Sequence, residues 1–236
     1  MINLAERKKQ IQDLVNKFDA NKNYYLSSKY NESQLRTDFL DEFFTILGWD
    51  ITNRKVASTH EREVLVEEGL KSNSNENTKK PDYTFRLFSE RKFFVEAKKP
   101  SVDISILEEP SKQIRRYGFT AKLKISVLSN FEYTAIYDCS TPVSPNDQVQ
   151  HSRIRLYHYT ELVDCLEELE ARIGRESVYN GSFDEVWSSI EDQLSKSSID
   201  DLFLKQINDW RLLLATEFIK IKPELDELTL NDLVQS

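Results

Sequence analysis

The sequence contains few of the residues on which several classes of functional site depend. Its 236 residues include 2 cysteines, 3 histidines and 5 glycines. Cys139 and Cys165 form no CxxC or metal-type spacing, which favours two reduced thiols in a cytoplasmic protein over a disulfide framework or a metal centre. The histidines are too few and too scattered along the chain for a zinc site.

The scarce glycines also exclude the common nucleotide-binding loops. No Gly-rich phosphate loop ending in Gly-Lys-Ser/Thr occurs, and there is no Gly-x-Gly cofactor loop. The Asn-Pro-Pro-Phe/Tyr motif that methyltransferases use is missing as well. We therefore expect no ATP site and no S-adenosylmethionine site in this chain.

Long apolar stretches are missing too. No run of about 18 apolar residues, as a membrane helix needs, is present. Met1 leads into the amphipathic helix pattern INLAERKKQIQDLVNKF rather than into a signal peptide. The sequence therefore predicts a cytoplasmic protein with no membrane segment.

Charge is plentiful but unevenly spread. The formal net charge is -8, which argues against bulk affinity for nucleic acid. Between residues 79 and 124, however, 12 Lys and Arg face only 6 Asp and Glu. This asymmetry predicts a local basic surface on an acidic protein.

Hydrophobic periodicity predicts an α/β protein whose strands cluster in the middle of the chain. The pattern favours a mixed sheet of four to five strands flanked by helices, with strands at 49–58, 82–88, 92–98, 123–130 and 132–138. Helices are expected at 4–19, from Asn31 to Gly48, and at 103–118. We assign residues 1–150 to this core and 151–236 to a helical extension, with helices near 160–172, 183–194, 199–221 and 224–235.

One stretch, KKPDYTFRLFSERKFFVEAKKP, places acidic residues and a lysine at strand ends. Alternation along the second strand puts Glu96 and Lys98 on one face. Asp82 begins the preceding strand, so Asp82 and Glu96 converge if the two strands are neighbours. The spacing alone also suits an ordinary solvated strand end.

Paired carboxylates beside a lysine suggest a particular chemistry. Two carboxylates a few ångströms apart repel each other, and a hard cation such as Mg²⁺ removes that repulsion. A neighbouring lysine can orient an attacking water or stabilise developing negative charge. Together these groups suit the hydrolysis of a phosphodiester bond.

The flanking helices carry further polar residues. Gln113 and Tyr117 are four residues apart and share a helix face, although a half-buried helix with a core tyrosine would look the same. Glu32 lies near the start of the helix after Asn31, where it also suits the helix dipole.

Taken in order, these motifs resemble a known family. Pro81-Asp82 followed after thirteen residues by Glu96-Ala97-Lys98 resembles the PD-(D/E)xK nuclease signature. The segments NESQLRTDFLDEFFTILGWD and QIRRYGFTAKLKISVLSNFEYTAIYD resemble the nuclease region of single-chain restriction–modification enzymes, the type IIG proteins and their ATP-driven, type I-like relatives. DDLFLKQINDWRLLLA resembles the helical connector to their methyltransferase domain. The resemblance covers about residues 30–235.

This resemblance implies a restriction-endonuclease-like core and a Mg²⁺-dependent DNA endonuclease in which Mn²⁺ can substitute. It implies that Asp82, Glu96 and the Ala97 carbonyl bind the metal, and that Lys98 positions the attacking water. Glu32 would orient the metal's water shell. Gln113 and Tyr117 would support the strand or contact the phosphate backbone. Candidate DNA phosphate contacts are Lys99, Lys112, Arg115 and Arg116.

The resemblance also implies partners. These are double-stranded DNA and covalently linked methyltransferase, target-recognition and, in some relatives, motor domains. Cutting both strands calls for two active sites, which favours dimerisation on DNA. Two alternatives remain open at this point: a catalytically silent docking or DNA-binding module with the nuclease fold, and a RecB-like repair exonuclease.

Overall fold

The N-terminal helices pack by burying one apolar stripe each. The structure, a computed structural model, describes residues 3–67 and 80–188. Helix α1 spans Leu4–Ala20, and its Asn3 cap accepts a hydrogen bond from the Glu6 amide. Its buried face, which includes Phe18, falls at the helical spacing that the sequence predicts. The short helix α2, Lys22–Tyr25, follows.

The predicted helix after Asn31 forms, but its middle turn is wider than an α-helix. Asn31 and Gln34 make the reciprocal capping box that the sequence indicates. Helix α3 (Glu32–Leu35) continues into a π-helical turn (Arg36–Leu40) and then into α4 (Asp41–Ile46). π-helical turns are rare in proteins, and many of those that occur lie at functional sites.

The described residues contain one six-stranded mixed sheet in the order β1-β2-β3-β4-β5-β6. Its strands are β1 (Val64–Val66), β2 (Tyr83–Leu87), β3 (Glu90–Ala97), β4 (Ile125–Ser129), β5 (Tyr133–Asp138) and β6 (Arg153–His158). Only β3 and β4 pair in parallel; the other neighbours are antiparallel. The predicted fold class is confirmed, with one strand more than the upper limit we expected.

Helix α5, Glu108–Thr120, provides the crossover between the parallel strands β3 and β4. Parallel neighbours need such a connection because the chain must return to the same end of the sheet. The helix begins five residues later than predicted. Asp103 accepts hydrogen bonds from the amide and hydroxyl of Ser105 instead, which stabilises a turn before the helix.

The strand predicted at 49–58 is wrong. Asp50 accepts hydrogen bonds from the Arg54 and Lys55 amides, and Asn53 and Val56 adopt positive φ angles of 56° and 52°. Local side-chain to backbone bonds of this kind compete with strand pairing. The edge strand forms later in the chain, as β1.

The predicted boundary at residue 150 falls inside a compact unit. That unit extends to Trp187, and β6 belongs to it because β6 pairs with β5 along the sheet. A 3₁₀ turn (Tyr159–Glu161) and helices α6 (Leu166–Ile173) and α7 (Arg175–Asn180) follow β6. The helices predicted at 199–221 and 224–235 lie outside the described residues.

One tryptophan anchors α6 to an earlier part of the chain, and a second joins the segment after α7 to α6. The buried indole of Trp49 donates to the Ile173 carbonyl at 2.9 Å, and that of Trp187 donates to the Arg172 carbonyl at 3.0 Å. Across the described ranges, no helix combines the length and the apolar character needed to cross a membrane.

Candidate active site

The ends of β2 and β3 bring the predicted acidic residues together. Tyr83 pairs with Val95 in the antiparallel register, so Asp82, one residue before β2, lies beside the end of β3. The Ala97 amide donates to Asp82 Oδ2 at 2.7 Å. This backbone bond fixes the Oδ2 oxygen of the Asp82 carboxylate beside the end of β3.

Glu96 is buried at the centre of the cluster, with 4% of its surface exposed. Its Oε1 accepts hydrogen bonds from Lys98 Nζ and from Gln113 Nε2, each at 2.7 Å. Its Oε2 is buried without a hydrogen-bond partner. Burial raises the pKa of Glu96 to about 7, against the opposing effect of the Lys98 charge and with smaller contributions from Asp82 and Glu32.

Lys98 lies on the same face as Glu96, as the alternation predicts. Burial would lower the pKa of its ammonium, but the nearby carboxylates, Glu96 first, raise it above the ordinary value. The lysine therefore stays protonated and keeps its remaining donors for other acceptors.

Helix α5 supports the cluster from the side. Gln113 Nε2 donates to Tyr117 Oη at 3.0 Å as well as to Glu96. Burial raises the pKa of Tyr117, so its hydroxyl stays protonated. The predicted Gln–Tyr pair is thus joined directly to the central carboxylate, and Gln113 is the residue that touches it.

Glu32 acts on the cluster through space. It is half-buried at the first position of α3, and its charge contributes to raising the pKa of both Asp82 and Glu96. The larger cause of the raised Asp82 pKa is burial. Glu32 therefore lies close enough to Asp82 and Glu96 to affect the pKa of each, and Lys98 lies near all three.

Sequence reasoning missed one residue of this cluster, Arg36. Its Nη1 donates to Asp82 Oδ1 at 3.0 Å, and its Nη2 donates to Glu67 Oε1 at 2.9 Å. The sequence holds only the local half of this signal: Arg36 follows Glu32 by four residues on the same predicted helix, so the two share a helix face, but the contact with Asp82 depends on distant segments.

The donor set suits a hard cation that keeps several waters. Among residues 3–67 and 80–188, no group of three or more His, Cys, Asp and Glu side chains is gathered closely enough to hold a metal ion. Mg²⁺ is bound in many sites by only one or two carboxylates plus water. The partnerless Oε2 of Glu96, the nearby Asp82 and the adjacent Ala97 carbonyl fit that requirement.

The four predicted phosphate contacts divide into two pairs. Lys99 is half-buried and Arg116 is exposed, with a contact to Glu109 at 3.4 Å. Lys112 is buried and donates to Glu108 and to the Pro145 carbonyl. Only Lys99 and Arg116 are therefore placed where an external phosphate could reach them.

Arg115 is the second member of the buried pair. Its side chain is fully buried, and Nη1 binds Asp147 Oδ2 at 2.8 Å. This ion pair holds the loop before β6 against α5. Lys112 and Arg115 stabilise the domain and are omitted from the DNA surface proposed below.

Comparison with known proteins agrees with the motifs. No family model matches the chain. The chain is 68% identical over 230 residues to the type II restriction enzyme and methyltransferase RM.Eco57I of Escherichia coli; the match covers 98% of this chain and 23% of that protein. The chain thus spans about a quarter of the length of this relative.

A solved structure, the cryo-electron microscopy structure of a DrdV–DNA complex, is 12% identical with a TM-score of 0.39, and the match covers 73% of this chain and 99% of that one. That likeness is too low to support any conclusion about the fold. The sequence match supports the resemblance, which is therefore confirmed: nearly the whole chain is related to one segment of a single-chain restriction enzyme and methyltransferase.

Proposed function

We propose that the chain is the nuclease domain of a restriction–modification enzyme and hydrolyses phosphodiester bonds of double-stranded DNA with Mg²⁺, or with Mn²⁺ in its place. The observation that carries this proposal is Glu96, a buried carboxylate with one partnerless oxygen beside Asp82. Lys98 and Gln113 bind Oε1, but burying the other carboxylate oxygen without a hydrogen-bond partner is costly. A divalent cation offsets that cost by occupying the oxygen.

Asp82, Glu96 and the Ala97 carbonyl would hold the ion, and Glu32 would orient the water around it. When bound, a divalent ion would polarise the phosphate and lower the pKa of a bound water below that of bulk water. The backbone bond from Ala97 to Asp82 keeps the two carboxylates in place before the ion arrives. Such preorganisation removes the need for rearrangement during the reaction.

Lys98 supplies the protonated donor of the site. It donates to Glu96 through one of its three N–H bonds, which leaves donors to orient the attacking water and to stabilise charge on the phosphate. Gln113 holds Glu96 Oε1, and Tyr117 holds Gln113. These two residues position the carboxylate rather than touch the reacting atoms.

Lys99 and Arg116 would contact the DNA backbone without reading its sequence. The net charge of -8 predicts that the chain alone binds DNA weakly. The relative combines a restriction enzyme and a methyltransferase in one protein. We therefore propose that this domain works while covalently linked to methyltransferase and target-recognition domains. We also propose that it dimerises on DNA. Its place would be the cytoplasm, where its two thiols stay reduced.

A supercoiled plasmid tests this proposal with the 236-residue chain as it is. We expect the chain to convert supercoiled circles into nicked or linear DNA in Mg²⁺ or Mn²⁺ and not in EDTA. An exonuclease would degrade a linear fragment while leaving the covalently closed circle intact. A protein that binds the plasmid but leaves both substrates uncut in either metal would contradict the proposal.

A further inference from the structure

Arg36 connects two carboxylates at the edge of the site. It is the first residue of the π-helical turn, and its side chain is 17% exposed. One guanidinium nitrogen binds Asp82 and the other binds Glu67. Since a guanidinium stays charged at any pH a protein tolerates, Arg36 is a permanent cation beside the candidate metal ligand.

The bonds of Asp82 show where this cation lies. Oδ2 is taken by the Ala97 amide, so Oδ1 is the oxygen that remains for an ion, and Arg36 Nη1 already lies 3.0 Å from it. At Glu96 the pattern is different, because Oε2 has no partner. Of the two carboxylates, only Asp82 has its remaining oxygen occupied by a positive charge.

Glu67 gives the guanidinium a second anchor. Its carboxylate is 61% exposed and binds Nη2 at 2.9 Å. Arg36 can therefore release Asp82 through Nη1 while Nη2 keeps its bond to Glu67.

We propose that Arg36 is the resident counter-cation of Asp82, that it occupies the oxygen a divalent ion would take, and that it leaves Asp82 when the ion binds. This inference rests on the proposed function, because it presumes that Asp82 is a metal ligand. Arg36 is a positioning residue: it holds Asp82 in its ion-free place and competes with the ion.

Calorimetric titration with Mn²⁺ at pH 8.5 tests the competition without reference to catalysis. Arg36→Gln keeps a hydrogen-bonding side chain and removes the charge. Because like charges this close repel by roughly 1 kcal/mol even at the dielectric constant of water, we expect the variant to bind Mn²⁺ at least about fivefold more tightly than the unmodified chain. Arg54→Gln removes the same charge at an exposed position outside the site and should change the affinity by less than about twofold.

The outcomes separate this inference from the proposed function. If Mn²⁺ binds, and Glu96→Gln abolishes binding, but Arg36→Gln binds equally or more weakly, Arg36 does not compete and only this inference fails. If neither the unmodified chain nor Arg36→Gln binds Mn²⁺, the metal site and this inference both fail. Thermal unfolding of each variant identifies any that loses its fold.

The arginine side chain gives a second readout. In an NMR spectrum of the ¹⁵N-labelled chain, the Arg36 Nε–H signal, assigned by its loss in Arg36→Gln, should move as Mg²⁺ is added. It should stay in place in Asp82→Asn, which removes the charge that attracts both cations. An Arg36 signal that ignores Mg²⁺, under conditions where Mn²⁺ binds, would show that the guanidinium does not leave Asp82.

Discussion

The backbone amide of Ala97 donates a hydrogen bond to Asp82 Oδ2 at 2.7 Å, across the ends of two neighbouring strands. This bond joins Asp82, the acidic residue of the Pro-Asp motif, to Ala97, which lies between Glu96 and Lys98. The proline-aspartate motif and the Glu-Ala-Lys motif are therefore one structural unit, not two strand ends that happen to be charged.

The raised pKa of Glu96 makes the stability of the ion-free chain depend on pH. Since the pKa is about 7 in the folded chain against 4.5 ordinarily, the folded state binds more protons between these values, and stability is lost as the pH rises through 7. The glutamine of Glu96→Gln does not titrate. Relative to this variant, the free energy of unfolding of the unmodified chain should fall by up to about 3 kcal/mol between pH 4.5 and 8.

Urea unfolding of both proteins in EDTA at several pH values measures that difference, and groups other than Glu96 largely cancel between them. A difference that is constant with pH would show that folding leaves the pKa of Glu96 unchanged, and one that grows in favour of the unmodified chain as the pH rises would show that folding lowers it; either result contradicts the raised pKa.

Loss of the Gln113 side chain should lower nuclease activity more than loss of the Tyr117 hydroxyl. Gln113→Ala removes a donor to Glu96 itself, and loss of such a supporting bond commonly lowers activity or metal affinity about tenfold or more. Tyr117→Phe removes a hydroxyl that accepts a hydrogen bond from Gln113 and so supports Glu96 only through that residue; the loss of activity should be much smaller. Initial rates of plasmid nicking compare the two, and equal losses would contradict the order of support proposed here.

Arg115 should matter for folding and not for DNA contact. Arg115→Met removes the guanidinium that pairs with the buried Asp147, which keeps the bond from the Ser144 amide, and breaking a buried ion pair costs about 3 kcal/mol or more. Arg116→Met, at the exposed neighbouring position, should cost less than about 1 kcal/mol. The urea concentrations at the unfolding midpoints of the two variants measure this contrast. Similar midpoints would mean that the Arg115–Asp147 ion pair contributes little to folding stability.

Lys99 and Arg116 should affect DNA binding and its salt dependence. If each meets one phosphate, Lys99→Gln and Arg116→Gln should each weaken binding and reduce the slope of log affinity against log salt by about 1. Fluorescence anisotropy of labelled duplex DNA at several salt concentrations gives that slope. An unchanged slope in either variant removes that residue from the proposed DNA surface.

The sequence was sufficient for the features that depend on local rules. Strand alternation put Glu96 and Lys98 on one face, and the Asn31 capping box marked the start of its helix; both occur in the structure. Helical spacing joined Gln113 to Tyr117. Each of these follows from a periodicity that one segment carries by itself.

The features that sequence reasoning missed depend on contacts between distant segments. Arg36 reaches Asp82 across 46 positions of the chain, and Arg115 finds Asp147 across 32. Lys112 and Arg115 looked like surface charges because a basic helix pattern does not reveal buried partners. Strand β6 is not among the predicted strands, although residues 153–156 alternate polar and apolar side chains, because its place in the sheet depends on pairing with β5.

Cleavage of a supercoiled plasmid by Glu96→Gln, compared with Glu109→Gln as the same change at an exposed carboxylate, tests the central claim most directly. In Mg²⁺ we predict that Glu109→Gln nicks the plasmid like the unmodified chain. Glu96→Gln, although folded, should lose at least about a hundredfold in rate. Metal-dependent cleavage by Glu96→Gln at the rate of Glu109→Gln would contradict the assignment of Glu96, and with it the active site, as the centre of phosphodiester hydrolysis.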